Sequence, residues 1–368
     1  MSFFICLHLL LFFTQKTWLY NGVRITYLKG YSSAYIHDFV HFSSDTIFNL
    51  KHQPWLFSSD YNSYIFPDSF YDLNDSLETT AFLVIKNDSI KYEYYSQGYS
   101  EDSASNSFSM AKSFISALIG IAITDGLIKN VDVPVCDFIP EFCGFKKQQI
   151  TIKHLLTMSS GLQWDEDYKN PFGNTAEAYY GNDLRSLVLN KPVVEDPGKT
   201  FRYYSSSTQI LSYVLESATK KTISKYASEK LWGPIGAKNI ALWAKDQPLG
   251  DEKAFCCIAS NARDFARLGK LFLSNGVWGR NRIIDSNYVS AAIRPSDLKK
   301  NYGYHFWITE YNGLYVYYAR GLYGQYIICI PEKDLVVVRL GKKWKSLLKN
   351  GHHMDLYDFI GAALKITN

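Results

Sequence analysis

The sequence predicts an α/β protein of the α+β type, in which an antiparallel sheet is flanked by helices and joined to a mostly helical second subdomain. Strand-like runs lie toward both ends of the chain, at 80–95 and at 304–340, and residues 127–245 have mostly helical patterns. Strands at both ends with helices between them indicate one sheet completed by the two chain ends, with a helical insertion. A site is expected in the cleft between the two parts.

The first elements are a hairpin and a buried helix. Two β-rich runs, 80–85 and 90–95, are joined by Lys-Asn-Asp-Ser, which is a turn signal. The segment 113–124 is apolar nearly all round and stops at Asp125-Gly126. A helix that is apolar on every side is a buried one.

Helices are expected next, and then strands. A helix begins near 151–156, and Asn261 to Asp264 resembles a capping box. The other expected elements are helices at 210–218, 223–231, 261–273 and 354–366, strands at 304–309, 314–319, 326–330 and 335–340, and a tight turn at 331–334. The expected divisions are a signal-like or anchoring segment at 1–20, an irregular extension at 21–75, a catalytic domain at 76–345 and a helix at 346–368 that packs on the sheet.

Composition excludes several classes of protein. The chain has 368 residues, of which 47% are hydrophobic and 20% charged, so it is long and apolar enough for a large ordered core. The net charge of +4 is mild and its basic residues are dispersed apart from 342–345, so nucleic acid is not an expected partner. Six cysteines without a Cys-x-x-Cys pair make zinc unexpected. Cys136 and Cys143 could form a bridge in an oxidising compartment.

Residues 3–13 are apolar except for one histidine. Eleven residues fall short of the roughly 20 that span a bilayer but fit the core of a signal peptide. No Lys or Arg precedes the segment and no small-x-small cleavage site follows it. We therefore expect an uncleaved anchor or a poor signal, with possible membrane association and an extracytoplasmic location; a buried N-terminal helix and a cytoplasmic location are the alternatives.

Ser109-Met-Ala-Lys112 stands at the start of the apolar helix. On a helix this spacing places the hydroxyl and the amine one turn apart on the same face. An amine beside an apolar core has a lowered pKa, and a serine next to such a lysine is an activated nucleophile. Ser-x-x-Lys recurs at Ser217, Ser296 and Ser346, but those copies lie beside further lysines and are typical of solvated surface. The alternative for Ser109 is a helix cap with a lysine that reaches the surface.

Two later segments could complete a site. A Pro-Gly turn at 197–198 leads to Tyr203 and Ser205 at the entrance of the next helix. Tyr203 could pass a proton to a leaving group, while Ser205 could make one more hydrogen bond or simply cap the helix. Gly321-Leu-Tyr-Gly-Gln325 lies between two strands, where glycine marks the close approach of a ligand or another backbone. A tight hairpin is the alternative for this third segment.

In this order, the three segments resemble the serine β-lactamases and penicillin-binding proteins. The chain is most similar to the class C β-lactamase-related hydrolases, a branch that includes esterases and 6-aminohexanoate-dimer hydrolases. The matching stretches are 108–114, 197–205 and 321–325, with 331–338, 151–161 and 265–269 as further similar stretches, so the resemblance covers about residues 75–345.

The resemblance implies the β-lactamase/DD-peptidase fold and a serine hydrolase that forms an acyl-enzyme on a small ester or amide. Ser109 is then the nucleophile, Lys112 and Tyr203 are the general base and acid, and the backbone N–H groups of Ser109 and Gln325 form the oxyanion hole. Ser205 and Gly324 would contact substrate. No metal or cofactor is implied.

Two departures and one rival accompany this interpretation. Ser205 stands where asparagine is usual, and Leu322 stands where lysine or histidine opens the third motif, which argues against efficient hydrolysis of β-lactams. Loop residues of the helical insertion could overhang the cleft and contact substrate, namely Trp164, Asp165, Glu166, Tyr179 and Tyr180. Trp164 and Tyr180 are the leading candidates among them. The rival is a non-catalytic or acylation-only module of the penicillin-binding or sensor type.

Overall fold

The computed structural model describes residues 2–367. The α helices are α1 Ser2–Phe13, α2 Leu19–Ile25, α3 Asp68–Ser76, α4 Ala111–Thr124, α5 Ile152–Leu156, α6 Asn174–Tyr180, α7 Leu184–Leu189, α8 Ser205–Thr219, α9 Ile223–Ala227, α10 Ala262–Leu273, α11 Ser286–Ala292 and α12 Met354–Thr367. The strands are β1 Ser44–Ile47, β2 Leu56–Phe57, β3 Thr79–Lys86, β4 Ser89–Tyr95, β5 Ser105–Asn106, β6 Ala241–Ala244, β7 Ile258–Ser260, β8 Val277–Trp278, β9 Asn281–Arg282, β10 Trp307–Tyr311, β11 Leu314–Gly321, β12 Gln325–Ile330, β13 Leu335–Gly341, β14 Leu348–Lys349 and β15 His352–His353.

The main sheet joins the two ends of the chain, as the sequence predicts. Its strand order is β10-β11-β12-β13-β3-β4-β2, and neighbouring strands are antiparallel except for the edge pair β2 and β4. The junction is the pairing of β13 with β3, where Val337 lies opposite Val84. The α+β class and the flanking helices are therefore confirmed.

Helices cover both faces of this sheet. Ile327 and Val338 face a core cluster that includes α4 and α10, while Ile328 and Val337 face a second cluster that includes α12. Because successive side chains of a strand point to opposite faces, strands covered on both sides become continuous apolar runs. This explains the Leu-Val-Val-Val sequence of β13.

The extension at 21–75 is more regular than the sequence indicates. It contains α2, β1, β2 and α3, and β1 joins a second antiparallel sheet of order β1-β6-β7-β5. Strand β5 of this sheet ends three residues before Ser109. The extension therefore contributes a strand to the sheet that leads into the candidate nucleophile. The pairing of β1 with β6 joins residues about 200 positions apart, which no local pattern reveals.

Most local predictions agree with the structure to within a few residues. The hairpin turn between β3 and β4 places Asn87 and Asp88 at φ values of 49° and 61°, in the left-handed region that favours asparagine and aspartate. Asn261 caps α10 by accepting the backbone N–H of Asp264. The first C-terminal strand begins at Trp307 rather than at 304.

The N-terminal apolar segment forms α1, a helix of 12 residues. Within residues 2–367, no helix is both long enough and apolar enough to cross a membrane. The expected anchoring role and location stay predictions. Cys136 and Cys143, whose pairing the sequence left open, form a disulfide, as do the adjacent residues Cys256 and Cys257.

Candidate active site

Ser109 lies in a short 3₁₀ turn, Phe108–Met110, between strand β5 and helix α4. Phe108 has a φ of 45°, a conformation that costs a non-glycine residue free energy and that the surroundings must hold. Its backbone N–H donates to the side-chain oxygen of Asn106 at 2.9 Å. The turn presents the Ser109 hydroxyl at the start of α4, which is buried from Ala111 to Ala122.

Lys112 is buried, with 1% of its surface exposed. Its amine lies 3.0 Å from Ser109 Oγ and 3.2 Å from Ser205 Oγ, and it donates to the carbonyl of Phe255 at 2.8 Å. Burial lowers the pKa of Lys112 to about 8, although the nearby charge of Glu166 opposes the change. A substantial fraction of the amine is therefore neutral near physiological pH, as a general base requires.

Tyr203 also lies near the Lys112 amine, which is 5.2 Å from the centre of the tyrosine ring. Burial raises the pKa of Tyr203 to about 12, while its contact with the Ser109 hydroxyl and the charge of Arg320 act in the opposite direction. The phenol is thus protonated at neutral pH. By their pKa values, Lys112 is suited to accept a proton and Tyr203 to donate one.

Glu166 connects Ser205 to the loop that follows α5. Its carboxylate accepts the hydroxyl of Ser205 at 2.6 Å and the backbone N–H of the same residue at 2.7 Å. The indole of Trp164 and the hydroxyl of Tyr168 donate to the same carboxylate at 2.9 and 2.7 Å. Four donors thus hold Glu166, and Glu166 in turn fixes the hydroxyl that contacts Lys112.

The Gly321–Gln325 turn packs against the segment that carries Ser109. A Cβ atom on Gly321 would lie 2.2 Å from the carbonyl oxygen of Ser107, so only glycine permits this approach. The side chain of Gln325 ties the turn to strand β13, because its amide donates to the carbonyls of Leu322 and Gly341 at 3.0 and 2.6 Å. The side chain of Gln325 is therefore committed, and the oxyanion role that the sequence suggested concerns its backbone N–H.

Two further buried residues support these segments, and sequence reasoning missed both. Arg339 donates to the carbonyls of Tyr323 and Gly324 at 2.6 and 3.1 Å and so holds the turn. Asp38 accepts from Asn106, the residue that holds Phe108. An arginine inside the apolar run of β13 was a visible signal, whereas Asp38 in the extension carried none.

The structure gives each of the predicted loop residues a packing or hydrogen-bond partner within the protein. Trp164 is buried, and its indole N–H donates to Glu166 at 2.9 Å. Tyr180 packs against Gly22 of α2, and among residues 2–367 no recorded contact joins it to Ser109 or Lys112. Tyr179 is buried and donates to Asp38 at 2.7 Å, and Asp165 orders its own loop by accepting from Asn170 at 3.1 Å.

Gly324 adopts a φ of 74°, and a Cβ atom there would lie 2.7 Å from the Arg339 guanidinium. It therefore shapes the turn. No group of three or more His, Cys, Asp or Glu side chains in the described part of the chain is arranged to hold a metal ion.

Comparison with known proteins identifies the family. The model of the beta-lactamase family matches residues 72–353, which is most of the chain, so the protein belongs to that family. The 6-aminohexanoate-dimer hydrolase of Paenarthrobacter ureafaciens is 25% identical over 300 residues, covering 73% of this chain and 74% of the relative. The protein is therefore a hydrolase of the β-lactamase fold, within a family of serine hydrolases.

Solved structures agree on the fold. A proposed 6-aminohexanoate-dimer hydrolase from Bacillus anthracis superimposes with a TM-score of 0.74 and 20% identity, covering 90% of this chain and 92% of that one. A penicillin-binding protein from Bacillus halodurans gives a TM-score of 0.63 at 16% identity, with 80% and 99% covered. A family VIII carboxylesterase gives 0.63 at 18% identity, with 81% and 96% covered.

Proposed function

We propose that the protein hydrolyses a small ester or amide through an acyl-enzyme on Ser109. The observation that carries this proposal is the contact between the Ser109 hydroxyl and a fully buried amine of lowered pKa, 3.0 Å away. A serine hydroxyl is a weak nucleophile until an adjacent base takes its proton.

Each proton has an assigned path. Ser109 Oγ attacks the substrate carbonyl and its proton passes to the neutral amine of Lys112. As the tetrahedral intermediate collapses, Tyr203 gives its proton to the leaving oxygen or nitrogen and regains one from Lys112. Water then attacks the acyl-enzyme with the same groups in reversed roles, which releases the acid and restores Ser109.

Backbone N–H groups would stabilise the oxyanion. The first is that of Ser109, and the second comes from the 321–325 turn. Gln325 is the donor that the sequence suggested, and it pairs with Gly321 at the end of the hairpin. Leu322 is a second candidate in the same turn, because it directly follows Gly321, which touches the backbone next to the nucleophile.

Glu166 and Ser205 position the base. Ser205 contacts the Lys112 amine, and Glu166 accepts the Ser205 hydroxyl, so the negative charge lies one hydroxyl away from the lysine. This arrangement keeps Lys112 aimed at Ser109 and stabilises the ammonium that forms when the proton arrives.

Labelling with a fluorophosphonate, followed by intact-mass measurement, tests the nucleophile. We expect one adduct on the wild-type protein and turnover of p-nitrophenyl acetate, with Ser109→Ala losing both while its thermal melting is retained. Ser217→Ala, in a second Ser-x-x-Lys sequence, is the matched control and should behave as wild type. Ester turnover by Ser109→Ala at the wild-type rate would refute the mechanism. An adduct without turnover of any ester would favour the acylation-only alternative.

A further inference from the structure

Residues 33–38 of the N-terminal extension, which we call the strap, lie against strand β5 just before the candidate nucleophile. The carboxylate of Asp38 is fully buried and accepts the side-chain amide of Asn106 at 3.1 Å. Its second oxygen accepts the hydroxyl of Tyr179 at 2.7 Å. The backbone N–H of Asn106 donates to the carbonyl of Ile36 at 2.8 Å. The strap therefore holds both the side chain and the backbone of Asn106.

Asn106 passes this constraint to the backbone of the nucleophile. Its side-chain oxygen accepts the N–H of Phe108, the residue with a left-handed φ of 45°. The peptide group that carries the Ser109 N–H follows Phe108, so the conformation of Phe108 determines where that N–H points. A non-glycine residue keeps such a conformation only where its surroundings hold it. Asp38 thus acts, through Asn106, on the first proposed donor of the oxyanion hole.

The strap also holds the turn that would supply the second donor. The carbonyl of Ala34 accepts the hydroxyl of Tyr323 at 2.9 Å, and the Ser33 hydroxyl lies 2.5 Å from the same phenolic oxygen. Tyr323 has a φ of 61° and lies between the two candidate donors, Leu322 and Gln325. One short segment therefore contacts both sides of the expected oxyanion hole.

An oxyanion hole depends on the separation of its two N–H groups. Each donor must lie about 2.7–3.1 Å from the same oxygen, and a misplacement of about 1 Å can cost about 100-fold in rate. The two turns are about 200 positions apart in the chain, and they meet where the rings of Phe108 and Tyr323 pack edge to face, 5.7 Å between centres. The hydrogen bonds of the strap end on the neighbours of this contact and on Tyr323 itself, so they hold the two turns in register.

We propose that the strap sets the geometry of the oxyanion hole, with Asp38 and Tyr323 as positioning residues. Asp38 acts through Asn106, and the Tyr323 hydroxyl acts through the backbone of its turn. Neither side chain is assigned a contact with substrate. The N-terminal extension is thereby a working part of the active site. This inference rests on the proposed function.

Two nearly isosteric substitutions, singly and together, test the proposal. Tyr323→Phe removes one hydroxyl and Asp38→Asn removes one charge. The controls are Tyr27→Phe and Asp72→Asn, which make the same changes on exposed side chains of the extension. For each protein we would measure thermal melting, kcat and KM for p-nitrophenyl acetate, and inhibition by phenylboronic acid. This inhibitor forms a tetrahedral adduct on a nucleophilic serine and so resembles the intermediate that the hole would bind.

Tyr323→Phe should lower kcat/KM by about three- to tenfold, the usual effect of one hydrogen bond, and should weaken phenylboronic acid by a similar factor. Asp38→Asn should lose about tenfold or more, because a charged acceptor is removed. In both variants the loss should fall on kcat rather than on KM, since the oxyanion forms only after the substrate binds. The double variant should lose little more than the worse single one, because both bonds hold the same strap. The controls should behave as wild type.

Several results would overturn the proposal. Single variants as active as wild type, a loss of kcat/KM without a loss of phenylboronic acid affinity, or fully additive losses in the double variant would each do so. If Asp38→Asn does not fold, Tyr323→Phe decides alone, because it removes only a hydroxyl from a half-buried side chain. An active wild type with unaffected variants refutes the strap alone. A wild type that neither hydrolyses the ester nor forms a fluorophosphonate adduct refutes the proposed function as well.

Discussion

The protonation state of Lys112 should determine how the kcat/KM of this enzyme depends on pH. Its pKa is lowered to about 8 by burial, and only the neutral amine can accept the Ser109 proton. About one tenth of the amine is neutral at pH 7 and about nine tenths at pH 9, so kcat/KM should rise about tenfold between these values. Activity should fall as the pH is lowered, because protonation of the Lys112 amine removes the base.

Substitution of Lys112 tests directly whether this residue causes the loss of activity at low pH. Arginine stays protonated at every working pH, so Lys112→Arg should lose at least about 10²-fold in kcat/KM and should lack the acidic limb. Lys112→Met gives a second variant, because an unbranched apolar side chain suits the buried position. The assay is p-nitrophenyl acetate hydrolysis from pH 6 to 9.5, with thermal melting measured for every variant.

A second buried lysine with a lowered pKa must be distinguished from Lys112 in this test. Burial lowers the pKa of Lys253 to about 7, yet its amine contacts the carbonyl of Tyr179 rather than Ser109. An acidic limb that survives in both Lys112 variants would arise elsewhere, Lys253 being the first candidate, and would refute the assignment. Lys220→Arg, the exposed lysine of the second Ser-x-x-Lys sequence, is the control and should leave the profile unchanged.

Two further changes test the support of the site and the packing of its helix. Glu166→Gln should lower kcat/KM by about tenfold or more, because the amide leaves donors around it unpaired. It should also move the acidic limb of the pH profile to lower pH, because the carboxylate it replaces raises the pKa of Lys112. The exposed Glu310→Gln is the control, and an unmoved limb in Glu166→Gln would contradict the positioning role. Gly120→Ala should destabilise the fold by about 1–3 kcal/mol in urea unfolding, since its Cβ would lie 2.6 Å from a tyrosine ring. Gly144→Ala, with no neighbour within 4 Å, should change stability little, and equal effects at the two positions would contradict the packing argument.

The sequence by itself determined the features that depend on local periodicity and caps. The spacing of Ser109 and Lys112, the apolar helix behind them and the Asn261 cap all depend on residues within one or two turns. The glycine-containing turn at 321–325 was also visible, because glycine in such a turn has few roles. Together with the strand-like runs near both ends of the chain, these features predicted the α+β class and the family resemblance.

Tertiary structure alone decided which distant groups meet. Ser205 and Glu166 are 39 residues apart, and nothing local indicates that one accepts the hydroxyl of the other. Tyr180 packs on the N-terminal segment, which no local pattern indicated, since the path of a loop depends on what it is packed against. Arg320 was one dispersed basic residue among many until the fold placed it on Trp307, with no acidic partner among residues 2–367. Burial and partner choice set the pKa values and free charges of the site, and both are properties of the packed chain rather than of any segment.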